Sequence, residues 1–455
     1  MEQELRFGLD LGRFGKFWGR FFHVIKEKNG TLLIGETFRK IIDKAGTKII
    51  ISDDKGNNGV INVFSKVIEK IIAERLSEFL ENNNFFNLKQ FGFRPHVSTN
   101  HAVLSIVNHI SQKLNENKFV IAILLDIRKC FDSLDRSILF RKLENAGIRG
   151  HVLDWIKSYF SNRKQRVFVN GSNSSSTLDI LFGVLQGSIL GVLFFLIYIN
   201  DIPNASQTIN SFLFADDNSA IISAPSLHEL ILSANTEIDS LLHWYKANKL
   251  SLHPQKTKAF IFSTPRANLN LNIDTNGRTF IPIFLNMNNA NENDISKIIP
   301  VSLVPNPEET SVRVLGILID NKLNYKDHFK YLHGKLTKAI FSLRIMRHIL
   351  DKRHLKLLYS SYLKSAIEYG SLLFSNVAKI TLNPIIIMQK KAIRIICSAQ
   401  YRAHTAPLFK QEKILPFEDL IFYNICRFMF DYTKDTLPII FRHTWLKNNE
   451  VHCYP

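Results

Sequence analysis

The stretch Ser211-Phe212-Leu213-Phe214-Ala215-Asp216-Asp217-Asn218-Ser219-Ala220-Ile221-Ile222 decides how this chain is read. Two short apolar segments, 211–214 and 220–222, flank a tight acidic turn, the pattern of a β-hairpin whose tip carries adjacent carboxylates. Upstream, residues 118–127 are rich in Val, Ile and Leu and read as a buried strand, with Asp126 near its end. If the strands are neighbours, Asp126, Asp216 and Asp217 converge. Three carboxylates at one point repel unless protons or cations neutralise them. Magnesium takes oxygen ligands of this kind, and two such ions about 3.5–4 Å apart suit phosphoryl transfer. On spacing alone, a solvated acidic turn is the plainer alternative.

Around this stretch the pattern predicts alternating helices and strands. Residues 63–72 and the segment after Ser98-Thr99 carry apolar residues at spacings of three and four, and either Ser98 or Thr99 can cap the second helix. Helices are predicted at about 134–146 and 151–160, with Asp132 and Asp135 read as capping residues. A short strand is predicted at 166–170. The run from 181 to 199 begins with turn residues and becomes an apolar helix. A periodic helix follows from Leu227 to Tyr245, then a strand at 258–263. Residues 264–312 are dense in Asn and Pro and read as a loop-rich insert.

Composition narrows the function. In 455 residues, hydrophobic residues make up 45% and charged residues 22%, which excludes global disorder. The net charge of +18 favours polyanionic partners, nucleic acid first. The excess is concentrated: residues 321–400 hold 15 Lys or Arg against 3 Asp or Glu. Four cysteines without a Cys-x-x-Cys pair suggest neither a disulfide framework nor a zinc knuckle, which fits an intracellular setting. The longest apolar run, 11 residues at 189–199, is too short to span a bilayer, so no membrane partner is expected.

The local stretches, taken together and in order, resemble the reverse transcriptases of non-LTR retrotransposons, over roughly residues 60–435. Phe214-Ala215-Asp216-Asp217 is similar to their F/Y-x-D-D signature. Leu125-Asp126-Ile127-Arg128-Lys129-Cys130-Phe131-Asp132 resembles the first catalytic-aspartate block. Gly183-Val184-Leu185-Gln186-Gly187-Ser188-Ile189-Leu190-Gly191 is similar to the G-V-P-Q-G-S-x-L-G block, and Gln90-Phe91-Gly92-Phe93-Arg94 with Ser98-Thr99 to the Q-x-G-F-R…S-T block. Asn248 to Lys258 resembles the block with the active-site lysine, and Val314-Leu315-Gly316-Ile317-Leu318-Ile319-Asp320 the primer-grip hairpin. Ala366-Ile367-Glu368-Tyr369-Gly370, Gln389 to Ile396, and His404-Thr405-Ala406-Pro407-Leu408-Phe409 resemble the C-terminal region of the jockey-like branch.

The resemblance implies an α+β, right-hand polymerase fold with an antiparallel palm sheet and a helical C-terminal region. It divides the chain into a poorly defined segment 1–55, fingers and palm at 56–263, the insert 264–312, a primer-grip-like hairpin at 313–322, and a basic helical thumb and C-terminal region at 323–455. The implied activity is an RNA-directed DNA polymerase that moves deoxynucleotides onto a primer 3′-hydroxyl. Its partners are an RNA template and a DNA primer, and its cofactor is two Mg2+ ions, with Mn2+ as substitute. Asp126, Ile127 (through its carbonyl), Asp216 and Asp217 are the implied metal ligands. Lys256 is the implied acid or counter-charge for pyrophosphate. Phe131 is the implied sugar gate, Gln186 a nucleotide contact, and Arg94 a template or nucleotide contact. Each has a plainer reading: core aromatic, loop amide, solvated lysine, structural arginine. With so little chain before residue 60, no endonuclease domain is expected, and action on chromosomal DNA implies the nucleus.

The chain departs from the family where Asn58 replaces an expected triphosphate-gripping arginine before Gly59-Val60-Ile61. Leu185 and Val192 stand where prolines are usual, and Cys130 where alanine is common. A catalytically inactive, truncated relic that keeps the fold and binds nucleic acid is the alternative these departures raise.

Overall fold

The computed structural model describes residues 63–442, apart from 166–167, 170–171, 174–177, 186, 254–255 and most of 265–309, together with strands Ile25–Lys28 and Thr31–Ile34. The helices are α1 (Val63–Asn82), α2 (Thr99–Asn115), α3 (Arg136–Asn145), α4 (His151–Phe160), α5 (Ile189–Ile199), α6 (Leu227–Ala247), α7 (Lys326–Met346), α8 (Lys352–Leu358), α9 (Lys379–Ile396), α10 (Thr405–Glu412) and α11 (Phe417–Thr433). The strands that shape the site are β1 (Phe119–Leu125), β2 (Asn210–Phe214), β3 (Asp217–Ala224), β4 (Lys258–Phe262), β5 (Leu303–Val304), β6 (Ser311–Val314) and β7 (Ile317–Asp320). The described residues fall into two compact units, each built from separated segments. One draws on 1–87, 127–202 and 244–251, the other on 88–126, 203–243 and 252–455.

The second unit is organised by a five-stranded sheet of order β5-β4-β1-β3-β2. Strand β1 is central. It pairs antiparallel with β3 on one side and β4 on the other. A strand flanked and covered this way must be apolar nearly throughout, and Val120, Ile121, Ala122 and Ile123 are all buried. Helix α2 packs against β1, β2 and β3. Its inner stripe of Ala102, Val103, Ile106, Val107 and Ile110 follows helical spacing. Ser98 is the residue that caps it, accepting from the His101 amide at 3.3 Å. The edge strand β5 joins β4 in parallel, so the sheet is antiparallel except at that edge. The Asn- and Pro-rich insert thus contributes sheet structure, and it also holds a strand pair, Phe284–Asn286 with Ile298–Pro300.

After the insert, β6 and β7 form a separate hairpin. Its two central residues, Leu315 and Gly316, have φ of 44° and 90°. Positive φ at both positions is the primed turn that matches strand twist. The helical remainder packs by stripes. On α7, Phe329, Leu332, Leu336, Ile340 and Leu343 are buried, while Lys330, Lys335, Lys338 and Arg344 are exposed. Helix α9 lies against α7. A π-helical turn, Tyr359–Lys364, follows α8 and leads into a short helical turn, Ser365–Glu368.

The first unit is helical around α5, which is apolar on every side and buried from Leu193 to Ile199. The helix starts at Ile189, not earlier in the apolar run. Gly183 and Gly187 have φ of 78° and 80°, which no helix accommodates, and Ser188 caps the first turn by accepting from the Gly191 amide. Among the described residues, no helix is long and apolar enough to cross a membrane.

Candidate active site

The three aspartates of the sequence reading all lie in the sheet unit. Asp126 follows β1, and Asp216 and Asp217 stand at the β2–β3 turn. Register places the two elements side by side: Leu125 pairs with Asn218, and Phe214 with Asp217. Ala215 enters the turn at φ 52°, an uncommon conformation for a residue with a Cβ. It is held there from outside. Residues 89–91 run alongside β2, with the Leu213 amide donating to the Lys89 carbonyl and the Phe91 amide to the Leu213 carbonyl, both at 2.8 Å. The buried Gln90 side-chain oxygen accepts from the Gly92 amide at 2.8 Å and the Ala215 amide at 3.4 Å. Gly92 is obligatory: a Cβ there would lie 2.2 Å from the Ala215 nitrogen. The Q-x-G-F-R segment is thus a prop for the acidic turn.

A second local structure brings Lys256 in. The His253 amide donates to the Asp126 carbonyl at 2.8 Å, and the Lys256 amide to the His253 carbonyl at 3.1 Å. This turn aims Lys256 back, and its Nζ lies 3.3 Å from Asp126 Oδ2.

The electrostatics report how close the carboxylates are. Shielding from water, reinforced by the charges of Asp216 and Asp126, pushes the Asp217 carboxyl up to about 6, against the opposing pull of Lys256. Asp217 is nonetheless exposed at the surface, so solvent screens part of this rise. A carboxylate that feels two others is a site short of positive charge.

Asp126, Asp217 and Lys256 border a cavity of about 450 Å³. One side is formed by Leu124, Leu125, Asp126, Asp217, Asn218 and Ser219, with Lys256 and Lys258. The facing side is the β6–β7 hairpin, from Val312 to Gly316. The hairpin therefore looks across the cavity at the carboxylates.

The donors suit a hard divalent cation: Asp126 and Asp217 offer carboxylate oxygens to one cavity, and the Asp217 carboxyl is raised by shielding from water and then by the charges of Asp216 and Asp126. Among the described residues, no three His, Cys, Asp or Glu side chains close into a cage as they stand. Lys256 instead supplies the counter-charge at Asp126. Magnesium completes its shell with water and substrate phosphates, so an open carboxylate cluster is the expected protein contribution.

The other expected site residues are distributed. Arg94 is in the same unit, half-buried, with Nη1 donating to the Gln90 carbonyl at 3.2 Å. Ile127 and Phe131 belong to the helical unit. Ile127 is buried, and the half-buried Phe131 ring lies 4.9 Å from that of Phe195. Gln186 and Asn58 lie outside the described residues.

The described residues on either side of Gln186 are bonded into the helical unit. Gly183 packs against the backbone of Phe131 and Asp132, where a Cβ would approach within 2.7 Å, and the Val184 amide donates to the Phe131 carbonyl. Glu69, 2% exposed, accepts from Ser188 Oγ at 2.9 Å, the Ile189 amide at 3.0 Å and Tyr159 Oη at 2.8 Å. Asp135 caps α3, as the sequence indicates, and binds Lys249 at 2.7 Å. Sequence reasoning assigned no role to Gln90 or Glu69. For Gln90 the adjacent block was a signal. For Glu69 nothing in the linear pattern pointed to Ser188, 119 residues away.

The family model described as reverse transcriptase (RNA-dependent DNA polymerase) matches residues 53–319. A probable RNA-directed DNA polymerase from transposon BS of Drosophila melanogaster is 23% identical over 381 residues, covering 81% of this chain and 39% of that protein. The RNA-directed DNA polymerase from mobile element jockey of the same species is 22% identical over 418 residues, covering 89% and 40%. The chain thus spans about two fifths of the length of these curated relatives. Among solved structures, apo telomerase from Candida tropicalis aligns with 85% of this chain and 67% of its own at 11% identity and a TM-score of 0.39. With the family model matching more than half of its residues, the chain belongs to the reverse transcriptase family.

Proposed function

We propose that the chain is an RNA-directed DNA polymerase of a non-LTR mobile element. It extends a DNA primer on an RNA template by attack of the primer 3′-hydroxyl on the α-phosphate of a deoxynucleotide, releasing pyrophosphate. The observation that carries this reading is that Asp126 and Asp217 line one cavity, with Asp216 beside Asp217 in the hairpin turn and near enough to add its charge to that carboxyl. Asp126 and Asp216 would hold two magnesium ions, with Asp217 assisting and the Ile127 carbonyl as a further ligand. When bound, such ions supply Lewis-acid stabilisation of the attacking and leaving oxygens.

The chain's own residues do the rest. The prop of Gln90 and Gly92 fixes the acidic turn, so the carboxylates need not reorganise during reaction. Lys256 Nζ, 3.3 Å from Asp126 Oδ2, would counter the charge of the departing pyrophosphate. By the family's blocks, Phe131 excludes a ribose 2′-hydroxyl, Gln186 contacts the nucleotide or its template pair, and Arg94 steadies template or nucleotide. Lys258 and Arg313 border the cavity and suit backbone phosphates of the primer strand. The exposed lysines and arginine of α7 suit the shape and phosphate charge of an A-form-like hybrid, a thumb function. In this reading fingers and palm occupy 56–263 and the thumb begins near 323, and priming on chromosomal DNA places the protein in the nucleus.

The test is primer extension on an RNA template with magnesium and deoxynucleotides. Product that disappears in Asp216→Ala supports the polymerase. Retained nucleic-acid binding with no product under any condition supports an inactive relic instead.

A further inference from the structure

The segment Ala366-Ile367-Glu368-Tyr369-Gly370 has no part in the reaction described above, yet its end meets the wall of the catalytic cavity. The Tyr369 hydroxyl donates to the Leu315 carbonyl, at the first central position of the β6–β7 turn. The ring lies beside Gly316, where a Cβ would sit 3.5 Å from Tyr369 Cε1. Gly370 adds two further ties. Its φ is 75°, its amide donates to Asn100 Oδ1 at 3.1 Å, and a Cβ there would fall 2.6 Å from Ile317 Cδ1. Two consecutive residues thus join the tip of the hairpin to the first turn of α2.

An isolated two-stranded hairpin is at best marginally stable, so contacts outside it decide where its tip lies. β6 and β7 pair with each other and stand apart from the five-stranded sheet. Leu315 and Gly316, which Tyr369 touches, line the same cavity as Asp126 and Asp217. The height of that tip sets the width of the cavity between the hairpin and the carboxylates.

We propose that Tyr369 is a positioning residue: its phenol latches the β6–β7 tip while the adjacent Gly370 amide is tied to Asn100 in the first turn of α2, and so it fixes where a primer terminus rests relative to Asp126 and Asp217. This rests on the polymerase reading of the cavity. Because the latch acts on the primer strand, its loss weakens use of the primer more than use of the nucleotide, a split that general destabilisation does not produce. Removing only the hydroxyl leaves the Leu315 carbonyl without its donor, an effect of about tenfold in an equilibrium constant.

The experiment compares Tyr369→Phe with wild type and with Tyr362→Phe, whose ring is 60% exposed in the same helical region. Affinity for a fluorescent primer–template with a recessed 3′ end is measured by anisotropy, with every chain also carrying Asp216→Ala so that no extension occurs. KM for primer–template and for deoxynucleotide are measured with Asp216 intact, and thermal midpoints throughout. Tyr369→Phe should weaken primer–template binding and raise its KM about tenfold, leave the deoxynucleotide KM within about twofold, and leave the thermal midpoint near wild type, with Tyr362→Phe silent. Unchanged primer–template affinity overturns the proposal, as does a parallel rise in both KM values with a lowered midpoint. A wild type that binds but never extends would defeat the polymerase reading alone, because the anisotropy comparison still decides the latch.

Discussion

Asp135 in the helical unit and Asp217 in the sheet unit are the same side chain in opposite surroundings. Burial would raise the Asp135 carboxyl, but hydrogen bonds from Lys249, Ser137 and the Ile138 amide outweigh it and hold it at about 2. Shielding also raises Asp217, and there the neighbouring charges of Asp216 and Asp126 add to the rise and carry it to about 6. A helix start offers free amides, so a carboxylate placed there stabilises the fold. A hairpin tip beside a second carboxylate-bearing strand offers like charge, so carboxylates placed there oppose the fold until a cation arrives. The contrast separates the residues that hold the molecule together from those kept for chemistry.

The largest effect should come from the crowded side. Asp126→Asn removes a ligand charge, and the primer-extension rate should fall at least about a thousandfold while the folded fraction in urea titration stays at or above wild type. A loss below tenfold would break the distinction, because Asp126 would then behave as an ordinary surface acid.

On the satisfied side, Asp135→Ala should lower stability by about 1–2 kcal/mol in equilibrium unfolding near neutral pH, as a lost helix cap does. The folded-state carboxyl lies below its unfolded value of 3.8, so this stabilisation is present above pH 3.8 and disappears as pH falls towards 2. A variant difference that persists unchanged at pH 2 would contradict the assignment.

Asp217→Asn should do the reverse. The folded carboxyl is raised from 3.8 to about 6, so ionisation costs the folded state above pH 6 and costs nothing below pH 3.8. With solvent screening of this partly open side chain, the variant should gain on the order of 1 kcal/mol at pH 8, and the gain should vanish by pH 3.5. Destabilisation at pH 8 would show that Asp217 is satisfied after all. The smallest expected effect is at Phe131, in the unit of satisfied carboxylates. Phe131→Ala should increase ribonucleotide incorporation several-fold relative to deoxynucleotide, and unchanged selection would leave the ring as packing against Phe195.

Much of this contrast is legible in the sequence. The run at 118–127 and the two apolar segments of the hairpin at 211–222 are visible from their Val, Ile, Leu and Phe content, and the turn chemistry puts Asp216 at the hairpin tip. Ser98 and Asp135 are recognisable caps because a cap is a local signal. The supports are not local. Gln90 reaches Ala215 across 125 residues, Glu69 reaches Ser188 across 119, and Tyr369 reaches Leu315 across 54. Each depends on tertiary placement that no period encodes. β5 was unreadable for another reason: two residues in an Asn- and Pro-rich insert carry no alternation, and pairing with β4 is what makes them a strand. The 181–199 run is read correctly as turn residues leading into an apolar helix, because Gly183 and Gly187 mark the turn and Ser188 the cap.

The central claim is that Asp126 and the Asp216-Asp217 turn form one divalent-cation site. Its most direct test is Mn2+ titration followed by electron paramagnetic resonance, on the wild-type chain with a non-extendable primer–template and deoxynucleotide, and on Asp126→Asn and Asp216→Asn. Wild type should bind two ions, and both variants should lose tight binding. Equal Mn2+ binding by all three chains would contradict the claim.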